Sequence, residues 1–389
     1  MKRATGRYEK SSVAGETVAA FIPHPLPPSR PSLILDDALR ELLRKAEHNL
    51  ARLELAGEMI PSLDWFLYGF VRKEAVISSQ IEGTQASLID LLTFEATDRA
   101  ADLPKEDVEE VCNYVKALKY AREQLHRKRG LPLSARLLGE THKRLMSGAR
   151  GGDKQPGEVR RSQNWIGGTR PGNAVYVPPP PQALAELLGA FEKYIHAKDD
   201  LPPLVRAGLL HAQFETIHPF LDGNGRLGRL LVTLALEHWK LLSQPLLYLS
   251  LFFKRHRAEY YRLLNQIRIE GDWEAWISFF LEGVAVIADE AADMARDQFE
   301  LVSRDRERLL ARPDSTVVSL RLFERLPMKP ILTAANVVVE LETTKPTAMK
   351  AINLLVEAGI LSEITGKKRD QAFAYSAYLA RLRIGTDIE

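Results

Sequence analysis

His218-Pro219-Phe220-Leu221-Asp222-Gly223-Asn224-Gly225-Arg226-Leu227-Gly228-Arg229 is the stretch on which the reading of this chain turns. Helical patterns flank it on both sides, so Asp222 to Gly225 form a tight turn that feeds straight into a helix N-terminus. The two glycines leave backbone N–H groups unshielded, and the helix dipole adds partial positive charge where they converge. Such a turn is a phosphate cradle. Arg226 and Arg229, three apart, share the first turn of the helix and can both grip phosphate oxygens. Asp222 is a hard oxygen ligand suited to a Mg²⁺ or Mn²⁺ that bridges phosphates, and His218 stands close enough to act as base on an incoming hydroxyl. The same letters, Gly223 to Gly228, fit the dinucleotide pattern G-x-G-x-x-G. That pattern requires a preceding β-strand, and His211 to Ile217 reads as a helix end. The plain alternative is a helix–helix loop with solvated charges.

Outward from this stretch the chain reads as mostly α. Upstream, helical periodicity covers the leucines from Leu33 to Leu55, breaks near Pro61, and resumes over Leu63–Ile81 and Glu106–Leu125. Residues 1 to about 32, with five prolines between Pro23 and Pro31, read as an extended arm. Between Gly148 and the proline run 178–181, Asn164-Trp165-Ile166 and Ala174-Val175-Tyr176-Val177 flank a glycine-rich turn and predict an exposed β-hairpin. Arg160, Arg161 and Arg170 beside it fit plain surface charge. Helices follow over Ala183–Tyr194, Leu204–Thr216, Arg226–Leu241, Ala258–Ile269 and Trp273–Leu310. After Pro313, two short helices around a turn at Thr344 and a basic hairpin at Lys367-Lys368-Arg369 suggest a small winged helix-turn-helix unit. The domains expected are 1–110, 111–312 and 313–389.

Composition narrows the function classes. Of 389 residues, 45% are hydrophobic and 27% charged, with 53 basic against 51 acidic side chains and a formal charge of +2. No whole-molecule field attracts nucleic acid or an anionic membrane, so any such role needs a local patch. The single cysteine, Cys112, excludes an internal disulfide and reads as a small core residue. His211, His238 and His256 lack metal-ligand spacing and read as structural. With no signal-like N-terminus and no apolar run of about 18 residues, the expectation is a cytoplasmic protein without a membrane partner.

Residue by residue, His218 to Arg229 resembles the H-P-F-x-D-G-N-G-R-x-x-R signature of the Fic (filamentation induced by cAMP) family. The resemblance extends over roughly residues 10–300. It implies a Fic-type helical bundle with a β-hairpin flap, here followed by the small C-terminal winged helix. It also implies an enzyme that transfers AMP from ATP to a Ser, Thr or Tyr hydroxyl of a target protein, or of itself. On that likeness His218 would be the base and Asp222 the metal ligand. Gly223, Asn224 and Gly225 would form the anion hole, with Arg226, Leu227, Gly228 and Arg229 completing the nucleotide site. A related phosphotransferase branch carries Lys where this chain has Gly225. Ser78-Ser79-Gln80-Ile81-Glu82-Gly83 resembles the family's inhibitory pattern [S/T]-x-x-x-E-[G/N], in which Glu82 would pair with Arg229 and Ser78 lies one turn before it. In some relatives this glutamate also serves removal of AMP. Val175 and Tyr176 of the flap would touch the target, and Tyr261 the adenine, core packing being the alternative for the tyrosine. Thr344, Lys345, Thr347 and Lys350 with the basic wing leave a DNA-binding regulator as the alternative from another class, and a homodimer is compatible with such a module.

Overall fold

The structure, a computed structural model, describes residues 3–58, 63–97, 105–148 and 152–388; the break expected near Pro61 and Gly151 of the glycine-rich segment lie outside them. The chain opens with an antiparallel hairpin, β1 (Gly6–Val13) and β2 (Glu16–Pro23), in register from Gly6↔Pro23 to Val13↔Glu16. This overturns the extended arm. Ala14 and Gly15 both take positive φ (51° and 83°), the turn whose twist suits a two-residue hairpin. The prolines that dominate the composition all fall at or beyond the end of β2.

Helices α1 (Asp37–Glu58), α2 (Leu63–Ile81), α3 (Leu88–Thr97), α4 (Lys105–His126) and α5 (Ala135–Leu145) come next. Beyond the flap region lie α6 (Leu184–His196), α7 (Pro203–Ile217), α8 (Asn224–His238), α9 (Ser250–Arg255), α10 (Arg257–Glu270) and the long α11 (Trp273–Leu310). The observed limits of α2, α4, α6 to α8, α10 and α11 follow the periodicity closely, whereas the short α9 falls between two expected helices. α7 is buried on nearly every side, which is why its apolar stripe is so wide, and it packs against α8 and α11.

The C-terminal module runs α12 (Val317–Arg325), β3 (Ile331–Thr333), α13 (Ala334–Glu340), α14 (Lys345–Glu357), β4 (Ser362–Glu363), β5 (Ala372–Ala374) and α15 (Ser376–Leu382), with an antiparallel sheet in the order β3-β5-β4. Thr316, Thr333 and Thr344 cap the N-termini of α12, α13 and α14, each accepting from a backbone N–H three residues on. The module is not a separate bead: one continuous apolar cluster reaches from Ile22 to Leu382, and the Tyr375 hydroxyl donates to buried Asp305 on α11 (2.7 Å). Among the described residues no helix is long and apolar enough to cross a membrane.

The segment 164–181 is less regular than a hairpin. Ile166 and Tyr176 form a single antiparallel bridge, and Pro171–Asn173 make a 3₁₀ turn at the tip. Gly167 and Gly168 have φ of 68° and 75°, and the Asn173 side chain accepts from Thr169 and Arg170 N–H, so side-chain bonds replace further ladder bonds. The N-terminal hairpin lies on this flap. Phe21 N–H donates to Val177 O (3.0 Å), Val13, Val18 and Ala20 bury Val177, and Glu16 pairs with Arg170 (2.6 Å).

Candidate active site

The site is built where α7 turns into α8. His218 closes α7 in the left-handed region (φ 47°, ψ 61°), its N–H donating to Phe214 O, a conformation a non-glycine residue holds only when its surroundings enforce it. Arg160 supplies that enforcement. Its Nε donates to His218 O (2.9 Å), its other nitrogens donate to Ser162 O and Pro179 O, and its backbone N–H donates to Pro219 O. Arg160 is 1% exposed, so it is an internal tie between the 164–181 segment and the turn after α7; Arg161 and Arg170 are the exposed surface charges expected there, paired with Glu158 and Glu16.

The turn itself is held from both ends. Asn224 Nδ2 donates to Phe220 O and its Oδ1 accepts from Phe220 N–H, both at 2.9 Å. Phe220 is buried and stacks on His142, ring centres 3.9 Å apart. Gly157 N–H donates to His142 Nδ1, which leaves Nε2 to carry the proton and donate to Asp222 O (2.9 Å). Burial pushes the His142 imidazole down to about 4, so the ring stays neutral in this role. Gly223 takes φ 75° at the N-terminus of α8, and a Cβ there would meet Met146 Sδ at 2.6 Å. Glycine is therefore required twice over at this position.

Behind the turn, Arg226 and Arg229 are nearly fully buried and already partnered. Arg226 pairs with Glu110 on α4 (2.6 Å). Arg229 Nε donates to Ser78 Oγ (2.9 Å), and one terminal nitrogen donates to Ser78 O (2.9 Å) and Glu82 Oε1 (2.6 Å). That carboxylate lies so close to Gly225 that a Cβ there would collide with it, placing an anion directly against the glycine of the cradle. Burial alone would raise the Glu82 carboxyl, but the Arg229 guanidinium outweighs it and holds the group below the usual range. Burial, then Arg160, pushes the His218 imidazole down to about 3, so the ring is neutral at physiological pH. Its Nδ1 is buried.

Asp222 is half exposed, with Oδ1 accepting from Gly223 N–H (2.6 Å). Among the described residues no cluster of three His, Cys, Asp or Glu side chains could cage a metal. A single open carboxylate fits a cation that takes its other ligands from phosphate and water.

Residues 40–123 match the Fic/DOC family N-terminal region and residues 132–236 match the Fic/DOC family. The chain belongs to the Fic/DOC family. It is 32% identical over 221 residues to protein adenylyltransferase Fic of Aedes aegypti, covering 54% of this chain and 40% of that protein. To the Drosophila erecta protein of the same name it is 30% identical over 208 residues, 52% of this chain and 38% of that one. The chain thus spans about two-fifths of the length of these curated relatives. Among solved structures it resembles a Fic family protein from Desulfovibrio desulfuricans G20, with a TM-score of 0.56, 20% identity, and coverage of 89% of this chain and 98% of that one. It also resembles residues 134–508 of Fic-1 from C. elegans, with a TM-score of 0.51, 21% identity, and coverage of 67% and 73%. At these identities the structural likeness speaks for the Fic fold.

Against the sequence expectations, His218, Asp222, Gly223, Gly225, Arg226, Arg229, Ser78 and Glu82 come together in this Fic protein. Four assignments change character. Leu227 is fully buried in the core, so its side chain cannot line a nucleotide site, and Gly228 backs onto the Glu215 side chain where α7 and α8 approach closely. The Asn224 side chain is consumed in stapling the turn. Tyr176 is turned inward, its hydroxyl donating to Thr216 O (2.6 Å) under the Arg268 guanidinium, so of the flap pair only Val175, 70% exposed, offers surface. Tyr261 is 41% exposed beside Arg257, whereas Tyr260 is buried and bonded to His211, which in turn bonds Gly228 O. Arg160, His142 and Glu110 were missed. They lie outside the signature, and no periodicity separates them from neighbouring surface charges.

Proposed function

We propose that this Fic protein transfers AMP from ATP to a hydroxyl of a protein, and that Glu82 holds the reaction back. The observation that carries the reading is His218 closing α7 just before an anion-binding helix end furnished with two buried arginines, one of them already bound by Glu82. The target oxygen attacks the α phosphorus as its proton passes to His218. The bond from the α phosphorus to the bridging oxygen breaks, and pyrophosphate leaves. A transfer of this kind needs little covalent help and gains most from positioning and charge neutralisation. The N–H groups at the start of α8 and the two guanidiniums supply both. A Mg²⁺ held by Asp222 would screen the phosphate charge. With Glu82 on Arg229 and against Gly225, the terminal phosphate meets a carboxylate where it needs a cation, so ATP does not settle in line for attack.

Incubation with α- and γ-labelled ATP tests the reading, using wild type, Glu82→Gly and His218→Ala. Label from the α position alone, raised by Glu82→Gly and abolished by His218→Ala, supports it; label from γ alone refutes it. A second reading, binding of duplex DNA by the C-terminal module, is favoured by exposed Lys345 and Lys350 on α14 and the exposed cations Lys367 to Arg369 between β4 and β5. Retention of DNA whose affinity does not fall with salt would refute it.

A further inference from the structure

The inhibitory turn is tied to the far end of the chain. Gln80, between Ser78 and Glu82, has every polar atom of its amide engaged. Nε2 donates to Ala86 O (3.0 Å), closing its own turn, and to Thr386 O (2.8 Å) in the C-terminal tail. Oε1 accepts from Lys254 Nζ on α9 (2.9 Å), and the same ammonium donates to Asp387 O (2.8 Å). Turn, α9 and tail therefore share one small polar knot.

The tail is seated. Thr386 is fully buried, and its N–H and hydroxyl both donate to Arg383 O. Gly385, at φ 80°, lies so close to Leu251 that a Cβ would meet its Cδ1 at 2.6 Å. Just before it, buried Leu382 packs against Gly69 of α2, the helix that carries the inhibitory motif, and α3, which follows that motif, packs against β3.

The Glu82 contact needs such support. Glu82 lies just past the last helical residue, where backbone order rests on Glu82 N–H and Thr84 N–H donating to Ser79 O and Gly83 N–H donating to Gln80 O. Helix ends fray unless their groups are held from outside. Gln80 and Lys254 hold the turn on the tail side, while Glu110 and Asp107 of α4 accept from the Thr84 hydroxyl (2.9 Å) and Gln85 N–H (2.8 Å) on the other, and the carbonyls of Thr386 and Asp387 belong to the C-terminal tail.

We propose that residues 383–388 act as a latch on the inhibitory turn, with Gln80 and Lys254 as positioning residues for Glu82, so that the seating of the C-terminal module sets the strength of inhibition. This rests on the reading of Glu82 as the brake. Any ligand that lifts α15 and the tail from α2 would loosen the turn and free Arg229 for the nucleotide, which makes the C-terminal module the input of the switch.

The test uses the full chain with single substitutions that leave Ser78, Glu82, Arg229 and His218 intact: Gln80→Leu, Lys254→Met, and Gly385→Val, which strains the tail against Leu251. AMP incorporation from α-labelled ATP should rise by about three- to tenfold in each, the factor that one net hydrogen bond carries. None should raise incorporation further in a Glu82→Gly background. Amide hydrogen exchange at Glu82, Gly83 and Thr84 should quicken in all three, a readout independent of turnover. If Glu82→Gly raises incorporation and the three variants do not, the latch is refuted and the brake stands. An equal rise in both backgrounds refutes the latch by assigning the effect elsewhere. An inert Glu82→Gly refutes the brake and the latch with it.

Discussion

Replacing Glu82 by Ala probes the contact on which inhibition depends, and it should move two measurements in opposite directions. Arg229 is 2% exposed and has three bonds, two to Ser78 and one to the Glu82 carboxylate at 2.6 Å. A hydrogen bond between charged groups contributes about 1.5–3 kcal/mol. The Glu82 side chain is 33% exposed, and solvent screening brings that down to about 1–2 kcal/mol. The unliganded Ala variant should therefore unfold more easily by that amount in urea. The terminal phosphate of ATP must displace the same contact, so its removal should tighten ATP binding by about five- to thirtyfold, tenfold being about 1.4 kcal/mol. Calorimetric titration in a His218→Ala background, where nothing turns over, measures the second quantity. A variant that loses stability with no gain in ATP affinity would refute the reasoning, because Glu82 would then support the fold without competing for Arg229.

Three further outcomes follow from the same geometry. Arg160→Ala leaves the carbonyls of His218, Ser162 and Pro179 without their donor and should cost more than about 3 kcal/mol in urea unfolding together with most AMP transfer, whereas exposed Arg161→Ala should stay within about 0.5 kcal/mol; equal effects of the two would contradict the tie. Asn224→Ala removes both bonds to Phe220 and should cost about 2 kcal/mol with a fall in AMP transfer, which unchanged kinetics would contradict. His142 has a pKa of about 4 in the fold against about 6.5 unfolded, so its contribution is complete above pH 6.5 and is lost as pH falls towards 4. The stability gap between wild type and His142→Ala should accordingly narrow by up to about 3 kcal/mol across that window, and a constant gap would count against a neutral, buried ring.

Much of this was legible in the residues. Spacing of apolar positions located α11 because it buries a stripe along its length, and α2 although its residues Lys73 to Ser79 are buried on every side; the turn at 222–225 was readable because glycine, aspartate and arginine each answer a distinct demand of an anion site. The N-terminal hairpin escaped because the prolines after Pro23 dominate the composition of the arm, while the alternation of Val18, Ala20 and Ile22 spans only one short strand. Arg160 escaped because burial of a cation depends on carbonyls contributed from positions 162, 179 and 218, which only the fold brings together. The partial flap has the same origin: Asn173 bonding Thr169 and Arg170 competes with the ladder, and residue preferences do not rank those two sets of bonds.

The most direct measurement is the position of the label that reaches protein. With α- and γ-labelled ATP in parallel, AMP transfer held back by Glu82 requires label from the α phosphate only, weak in wild type, stronger in Glu82→Gly and absent in His218→Ala. Label from the γ phosphate alone, or α label that survives His218→Ala, would contradict it.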